Sequence, residues 1–349
     1  MTSKTILQLP IPDFFNPQKI GEVWRVPYQT RAAQAKAWAK EHNIQSSRSD
    51  EEAGTRICLL LIDVQNTFCI PGFELFVGGK SGLAAVEDNV RLCEFIYRNL
   101  HVITEIIPTM DTHRAIQIFH PIFWVNSAGE HPTPGTTIIS LADVEQGVWQ
   151  VNPEVARSLG EGKELALQEY AYHYVKKLSD AGKFPLIIWP YHSMLGGIGH
   201  ALVSAVEEAI FFHSIARKTQ TKFELKGDNP LTENYSVLRP EVLEDNLGKP
   251  IAYKNTQLIE KLLNCDRIII AGQAKSHCVA WTIDDLLTAM VTIDANLAKK
   301  VYVLEDCTSP VVISEEIDFT AQADAAFQRF ADAGMNVVKS TTPLTSLAN

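Results

Sequence analysis

Polar side chains with useful chemistry stand just past several runs of aliphatic residues. Asp63 follows CLLLI, Asp111 and His113 follow VITEIIPTM, His192 follows LIIWPY, Lys226 ends TKFELK, and Cys278 comes shortly after RIIIAG. Apolar runs of this length read as buried strands. In an open parallel sheet the carboxyl ends of the strands share one edge, so residues distant in sequence can converge there.

Two sets emerge. Cys278, at the start of an apolar helical pattern, is placed where a helix N-terminus and a nearby ammonium such as Lys226 favour the thiolate. Asp63 can accept the thiol proton and later return it to a leaving group. Asp111 and His113 stand two residues apart, on the same side of an extended segment. With His192 from the next strand end they would make a three-residue facial set suited to zinc, iron or manganese. Each residue also has an ordinary reading: a core cysteine, turn-capping aspartates, a solvated lysine, and turn histidines.

The elements that must position these residues alternate from Arg56 onward. Strands are predicted at RICLLLIDV, VITEIIPT, FPLIIWP, TKFELK, RIIIAG and VYVLED. Helices are predicted at 83–99, 198–216, 257–263, 279–290 and 317–333. That alternation predicts an α/β fold with a mostly parallel sheet covered by helices on both faces. Residues 1–54, with a Pro-rich opening, a possible helix in TRAAQAKAWAKEH and a polar stretch IQSSRSDEEAG, read as an N-terminal extension. The segment 121–183 is irregular and rich in Pro and Gly, apart from a helix predicted over 163–179, and reads as a long insertion.

Bulk properties narrow the function classes. Acidic residues outnumber basic ones, 41 to 31, for a formal charge of -10. No basic stripe is present for nucleic acid or an anionic membrane. The six cysteines are scattered without a CxxC pair, which reads as reduced thiols in a cytoplasmic protein rather than a disulfide framework. No run approaches the roughly 18 apolar residues of a membrane span.

The pieces LLLIDVQNTF, MDTH, WPYH, KGDNPLTENYS, AGQAKSHCV and VYVLEDCTS, in this order from about Arg56 to Thr308, resemble the isochorismatase-like cysteine hydrolases, and within them the nicotinamidase/pyrazinamidase group. The resemblance implies a three-layer αβα fold with a six-stranded sheet over residues 55–349. It implies a catalytic triad of Asp63, Lys226 and Cys278 and metal ligands Asp111, His113 and His192, with zinc the expected ion and iron or manganese the alternatives. Phe68 and Trp189 would be aromatic walls for a planar ring. The backbone N–H groups of Ala274 and Cys278 would form an oxyanion hole beside a cis peptide at Gln273–Ala274. The implied reaction is hydrolysis of a small-molecule C–N amide through a thioester, with nicotinamide as substrate. Another amide or carbamoyl compound is one alternative, and a non-catalytic oligomeric binding module on the same fold is the other. A homo-oligomer is also implied.

The chain departs from the family pattern at three places. Its next histidine after MDTH, His120, comes one step late and could be a ligand, a substrate contact or a loop residue. Ser193 follows WPYH where Cys is common, and Lys275-Ser276-His277 replaces an acidic residue before the nucleophile. Of the remaining polar residues, Glu305 and Asp306 read as loop braces, His277 as solvent-facing, and His131 and His173 carry no assigned role.

Overall fold

All six residues of the strand Ile57–Ile62 are buried, which an extended segment achieves only inside a sheet covered on both faces. In the computed structural model of the chain, which describes residues 8–52, 55–159, 164–182, 184–313 and 317–344, this strand (β1) lies within a six-stranded sheet. The other members are β2 (Glu105–Asp111), β3 (Glu224–Lys226), β4 (Arg267–Gly272), β5 (Val301–Leu304) and β6 (Asn336–Val338), in the order β6-β5-β4-β1-β2-β3. β1 pairs in parallel with β2 and β4, β4 with β5, and β5 with β6. The fold is a three-layer α/β arrangement, as the alternation of elements predicts.

Successive strand residues point to opposite faces, and the two faces carry different helices. Ile57, Leu59 and Leu61 join a core with Leu92 and Ile96 of α2 (Ala84–Arg98) and Val206, Ile210 and Phe212 of α3 (Ser204–Arg217). The intervening Cys58 and Leu60 face the layer of α4 (Thr256–Leu263), α5 (Ala280–Ile293) and α6 (Thr320–Asp332), whose helices pack on one another through α5. In α2 the buried positions Ala85, Asn89, Leu92 and Ile96 recur every three or four residues, the spacing that puts side chains on one helical stripe. Fully burying one such aliphatic side chain stabilises by about 1.5–3 kcal/mol.

The early segment joins the same core. Helix Tyr28–Glu41 packs along α3, with Ile20 and Ala35 fully covered. Its polar contacts are directional as well: the Trp24 backbone N–H donates to Ser204 Oγ at 2.9 Å, and Arg31 Nε donates to Glu208 Oε1 at 2.7 Å. The Arg31 guanidinium also lies 3.8 Å from the Phe14 ring centroid.

The chain forms two compact units. Residues 1–110, 201–224 and 256–349 make the first, and residues 111–200 and 225–255 the second. Within the second, helix Glu164–Ala181 packs against Leu141–Glu145 and Pro153–Leu159. Two short antiparallel ribbons pair Trp124–Val125 with Gln150–Val151 and Ile138–Ile139 with Leu186–Ile187. Of the strands predicted for the main sheet, FPLIIWP is therefore absent from it. The backbone groups of the run are taken within the second unit: Leu186 and Ile187 pair in the ribbon, the Ile188 N–H donates to Thr137 O at 3.0 Å, and the Trp189 N–H donates to Phe119 O at 2.8 Å. The sixth place is taken instead by Asn336–Val338 at the sheet edge. Among the described residues no helix is long and apolar enough to cross a membrane.

Candidate active site

In the first unit, β1 and β4 run in register to Ile62 and Gly272; Asp63 follows β1 at once, and Ala274 and Cys278 come shortly after β4. Asp63 is fully buried and adopts a positive φ of 46°, a region a non-glycine residue enters rarely. The Asp63 backbone N–H donates to Thr109 Oγ1 at 3.0 Å, and Thr109 Oγ1–H donates to Asp63 Oδ1 at 2.5 Å. The carboxylate is thereby fixed at the end of β1. β4 reaches Gly272 at φ 124°, where a Cβ would lie 2.0 Å from the Ile62 carbonyl oxygen. Only glycine allows the two backbones to come this close.

After Gly272 the peptide Gln273–Ala274 is cis. Gln273 is held on both sides: its backbone N–H donates to Ile62 O at 2.8 Å, and its side-chain amide donates to Asp88 Oδ2 at 2.8 Å. The Ala274 carbonyl accepts from the N–H groups of His277 and Val279, at 3.0 and 3.2 Å. These bonds wind Lys275–Val279 into a π-helical turn that opens α5. Cys278 lies in this turn, 8% exposed, with the positive end of a helix dipole behind it. Phe68, on the short helix Asn66–Cys69, is 9% exposed and belongs to the core of this unit. His277, expected to face solvent, is instead buried: its ring lies edge-on to Phe319 at 4.8 Å, and burial pushes its pKa down to about 3.

The second unit holds the other set. Its first residues, Asp111 to His113, are clamped on two sides. The Thr112 N–H donates to Lys226 O at 2.8 Å, the His113 N–H to Ser193 O at 3.0 Å, and the Leu195 N–H to His113 O at 3.0 Å. The second and third of these bring the WPYH segment alongside MDTH and set the His113 and His192 rings 4.6 Å apart. His113 Nδ1–H donates to the Gly227 carbonyl at 2.9 Å and His192 Nδ1–H to the Pro190 carbonyl at 2.7 Å. With each Nδ1 so occupied, both Nε2 atoms turn to one carboxylate oxygen, Asp111 Oδ2, at 2.7 and 3.4 Å. Ring nitrogens oriented by carbonyl acceptors, beside a carboxylate, are the arrangement of metal-binding histidines. The ligand atoms of Asp111, His113 and His192 all lie within 4.8 Å of one another and all three residues are buried. The residues fit a divalent cation.

Asp111 has a second role. Its Oδ1 accepts from Lys226 Nζ at 2.8 Å, and the same ammonium donates to Asn234 O at 2.9 Å. Burial works against the charged form of Asp111, but the charges of His113 and Lys226 and hydrogen bonds from both histidines hold its carboxyl well below the usual range. His113 moves the opposite way: burial opposes its cation, and Asp111 raises its pKa nonetheless. His192 is lowered, mainly by burial.

His120 is fully buried, with ring centroids 6.0 and 6.1 Å from His113 and His192. Its Nδ1 meets the Ala115 carbonyl at 3.2 Å and its Nε2 has no hydrogen-bond partner among the described residues. Burial, then the two neighbouring histidines, push its pKa down to about 3. It stands beside the three-ligand group without belonging to it. Trp189 is 6% exposed, and its Nε1–H donates to the Tyr235 hydroxyl at 3.0 Å.

The sequence reading passed over three positions in this unit. Gly227, at φ 88°, supplies the carbonyl that orients His113. Gln117 Nε2 donates to that same carbonyl at 2.6 Å. Glu233 accepts from the Asn234 N–H at 2.7 Å, bracing the loop whose carbonyl holds Lys226. Burial, with the negative charge of Asp111, raises Glu233 to about 7. All three lie in or against KGDNPLTENYS, but only a contact across more than a hundred residues gives Gly227 and Gln117 their role. His131 and His173, to which the sequence assigns no role, bond backbone carbonyls of Trp124 and Glu244.

No family model and no curated protein matches this chain. Among solved structures it is similar to the Acinetobacter baumanii nicotinamidase pyrazinamidease, at 18% identity and a TM-score of 0.44, over 82% of this chain and 97% of that one. It is similar to the yeast nicotinamidase bound to the inhibitor nicotinaldehyde, at 18% and 0.46, over 81% and 99%. The N-carbamoylsarcosine amidase from Thermoplasma acidophilum stands at 12% and 0.39, over 83% and 99%.

Proposed function

We propose that the chain is a cysteine amidohydrolase acting on a small-molecule C–N amide, with nicotinamide its substrate and nicotinate and ammonia its products. The observation that carries the reading is the buried group Asp111, Lys226, His113 and His192. Its side chains are at most 5% exposed and joined through one carboxylate. Keeping that many ionisable groups out of water costs several kcal/mol per ion, and such clusters concentrate at functional sites.

In this mechanism Asp63 takes the thiol proton as Cys278 sulfur bonds to the amide carbon and the carbonyl electron pair moves to oxygen. The Ala274 and Cys278 N–H groups would hold that oxyanion, each donor worth about 3 kcal/mol. As the carbonyl reforms, the C–N bond breaks and Asp63 returns its proton to the departing nitrogen. Water then adds to the thioester, releasing the acid and restoring the thiol. Lys226 offsets the negative charge that Asp63 and Asp111 bring to the reaction. A divalent cation held by Asp111, His113 and His192, zinc being the natural choice for this donor set, would supply Lewis-acid chemistry for substrate or water. Phe68 and Trp189 serve as the aromatic contacts of the ring.

The test is ammonia release from nicotinamide by the purified protein, with and without a chelator, beside Cys278→Ala. Release that disappears in the variant and falls on chelation supports the proposal. No release, with Cys278 still alkylated rapidly by iodoacetamide, moves the substrate to another amide or carbamoyl compound. An inert Cys278 removes the hydrolase reading altogether.

A further inference from the structure

Two cysteines that the proposed reaction does not use meet at the amino-terminal ends of β1 and β4. Cys58 is the second residue of β1. Cys265 stands two residues ahead of β4, whose first residue, Arg267, is in register with Ile57. The Cys265 Sγ–H donates to the Lys261 carbonyl at 3.4 Å, and Cys58 is the neighbour that acts most strongly on its thiol. Both line one cavity of about 410 Å³, together with Arg56, Glu105, Lys222 and Lys261. Cys58 is 1% and Cys265 5% exposed, and the cavity is where a small reagent would meet the pair. Three of the four charged groups around it are cationic.

The two sulfurs are chemically unequal. Hydrogen bonding from Cys58, with the charges of Lys261 and Arg56, lowers the Cys265 thiol against the effects of burial and Glu105. The same bond and burial raise Cys58 well above its ordinary value. Elsewhere burial raises Cys69, Cys93 and Cys307. A thiol whose neighbours favour its ionisation, on a cavity that a second thiol also lines, has the layout of a peroxide-reactive cysteine with its resolving partner.

We propose that Cys265 and Cys58 form a reversible redox pair that hydroperoxides oxidise to a disulfide. The Cys265 thiolate attacks the terminal peroxide oxygen, the O–O bond breaks, and the alcohol or water leaves with the proton the thiol gave up. Cys265 is then a sulfenic acid. The Cys58 sulfur displaces its hydroxide, which departs as water with the Cys58 proton. Two thiols and one hydroperoxide become one disulfide, one water and one alcohol (a second water for hydrogen peroxide), with two electrons passing from sulfur to oxygen. This site is independent of the hydrolase reading.

The experiment uses the full chain carrying Cys278→Ala, so that oxidation of that residue does not enter. The protein is treated with one equivalent of hydrogen peroxide, unfolded, alkylated with a maleimide and digested for peptide masses. The expected result is loss of two of the five cysteines left from the original six. The Cys58 and Cys265 peptides would be linked and two hydrogens lighter, and dithiothreitol would restore both thiols. Adding Cys58→Ser should abolish the link and leave Cys265 as a sulfenic acid that dimedone traps. Full alkylation of both cysteines after peroxide overturns the proposal, as does oxidation of Cys265 to the sulfinic acid with Cys58 still free. The peptide measurement on the Cys278→Ala protein decides the matter without either pair variant having to fold.

Discussion

Replacing Gly227 with alanine tests how the histidine cluster is held. At this position φ is 88°, and a Cβ would lie 2.7 Å from His113 Cε1, 3.0 Å from Asp111 Oδ1 and 3.1 Å from His113 Nδ1. Carbon atoms in ordinary contact sit about 3.5–4.0 Å apart, so the His113 ring must withdraw by roughly 0.8 Å or more. Withdrawal stretches the 2.9 Å bond from Nδ1 to the Gly227 carbonyl, the contact that aims Nε2. Loss of such an orienting partner costs about 10–100-fold in metal affinity, which is about 1.4–2.8 kcal/mol at 1.4 kcal/mol per decade. Left-handed backbone strain adds about 1–2 kcal/mol against folding, and overpacking about 1–3 kcal/mol. Gly248 supplies the control, because its φ is 78° and a Cβ there meets nothing within 4 Å. Gly248→Ala should show the backbone strain alone. Zinc affinity by competition with a chromophoric chelator, and urea midpoints of the metal-free proteins, separate the two effects. A folded Gly227→Ala protein that binds zinc as tightly as the wild type would refute the argument, and so would equal losses of zinc affinity in both variants.

Gly272→Ala should be more damaging to the fold, because the atoms a Cβ would meet are the backbone O, N and C of Ile62 at 2.0, 2.7 and 2.8 Å and cannot rotate away. A loss above about 4 kcal/mol is expected, the range reserved for a few named causes, and a wild-type urea midpoint would contradict it. His213 should produce an acid-side loss of stability. Burial pushes its pKa down to about 4, while the unfolded chain titrates near 6.5. Above about 6.5 both states are neutral; as pH falls toward 4 only the unfolded state gains the proton, so stability falls by up to roughly 3 kcal/mol. His213→Gln, which keeps a donor for the Ile103 carbonyl that Nε2 now reaches at 2.9 Å, should flatten urea midpoints between pH 6.5 and 4. Superimposable pH profiles would rule out that assignment.

The placement of the candidate residues was legible in the sequence wherever the sheet itself positions them. Asp63 and Cys278 stand at or just past β1 and β4, whose apolar runs are plain and whose parallel pairing puts their ends on one side; Asp111 and Lys226 close β2 and β3, of which only β2 carries a plain apolar run. His192 was found for a partly mistaken reason. Its preceding run resembles a strand of the main sheet, yet the position follows from hydrogen bonds that lace Ser193 and Leu195 to His113. Asn336–Val338 escaped notice because three partly exposed residues carry too little periodicity to separate strand from loop. The bond from Lys226 to Asp111 spans 115 residues, and no local pattern announces it. Helix Tyr28–Glu41 was visible as a helix, but with Ala35 its one buried residue it gave little sign of the surface it covers; Phe14, Trp24 and Arg31 supply the specificity of that docking.

That docking also has a consequence for the order of events during synthesis. Arg31 meets Glu208 across 177 residues, and Trp24 meets Ser204 across 180. Ribosomes add about 5–20 residues per second, so the first helix waits on the order of 10–35 s before the surface it covers exists. An isolated helix of about 14 residues is marginal in water, and this one has few apolar residues of its own to hide meanwhile. During that interval Phe14, Phe15 and Trp24 are without the neighbours they have in the folded core, so this segment is exposed to non-native contacts until α3 has been made.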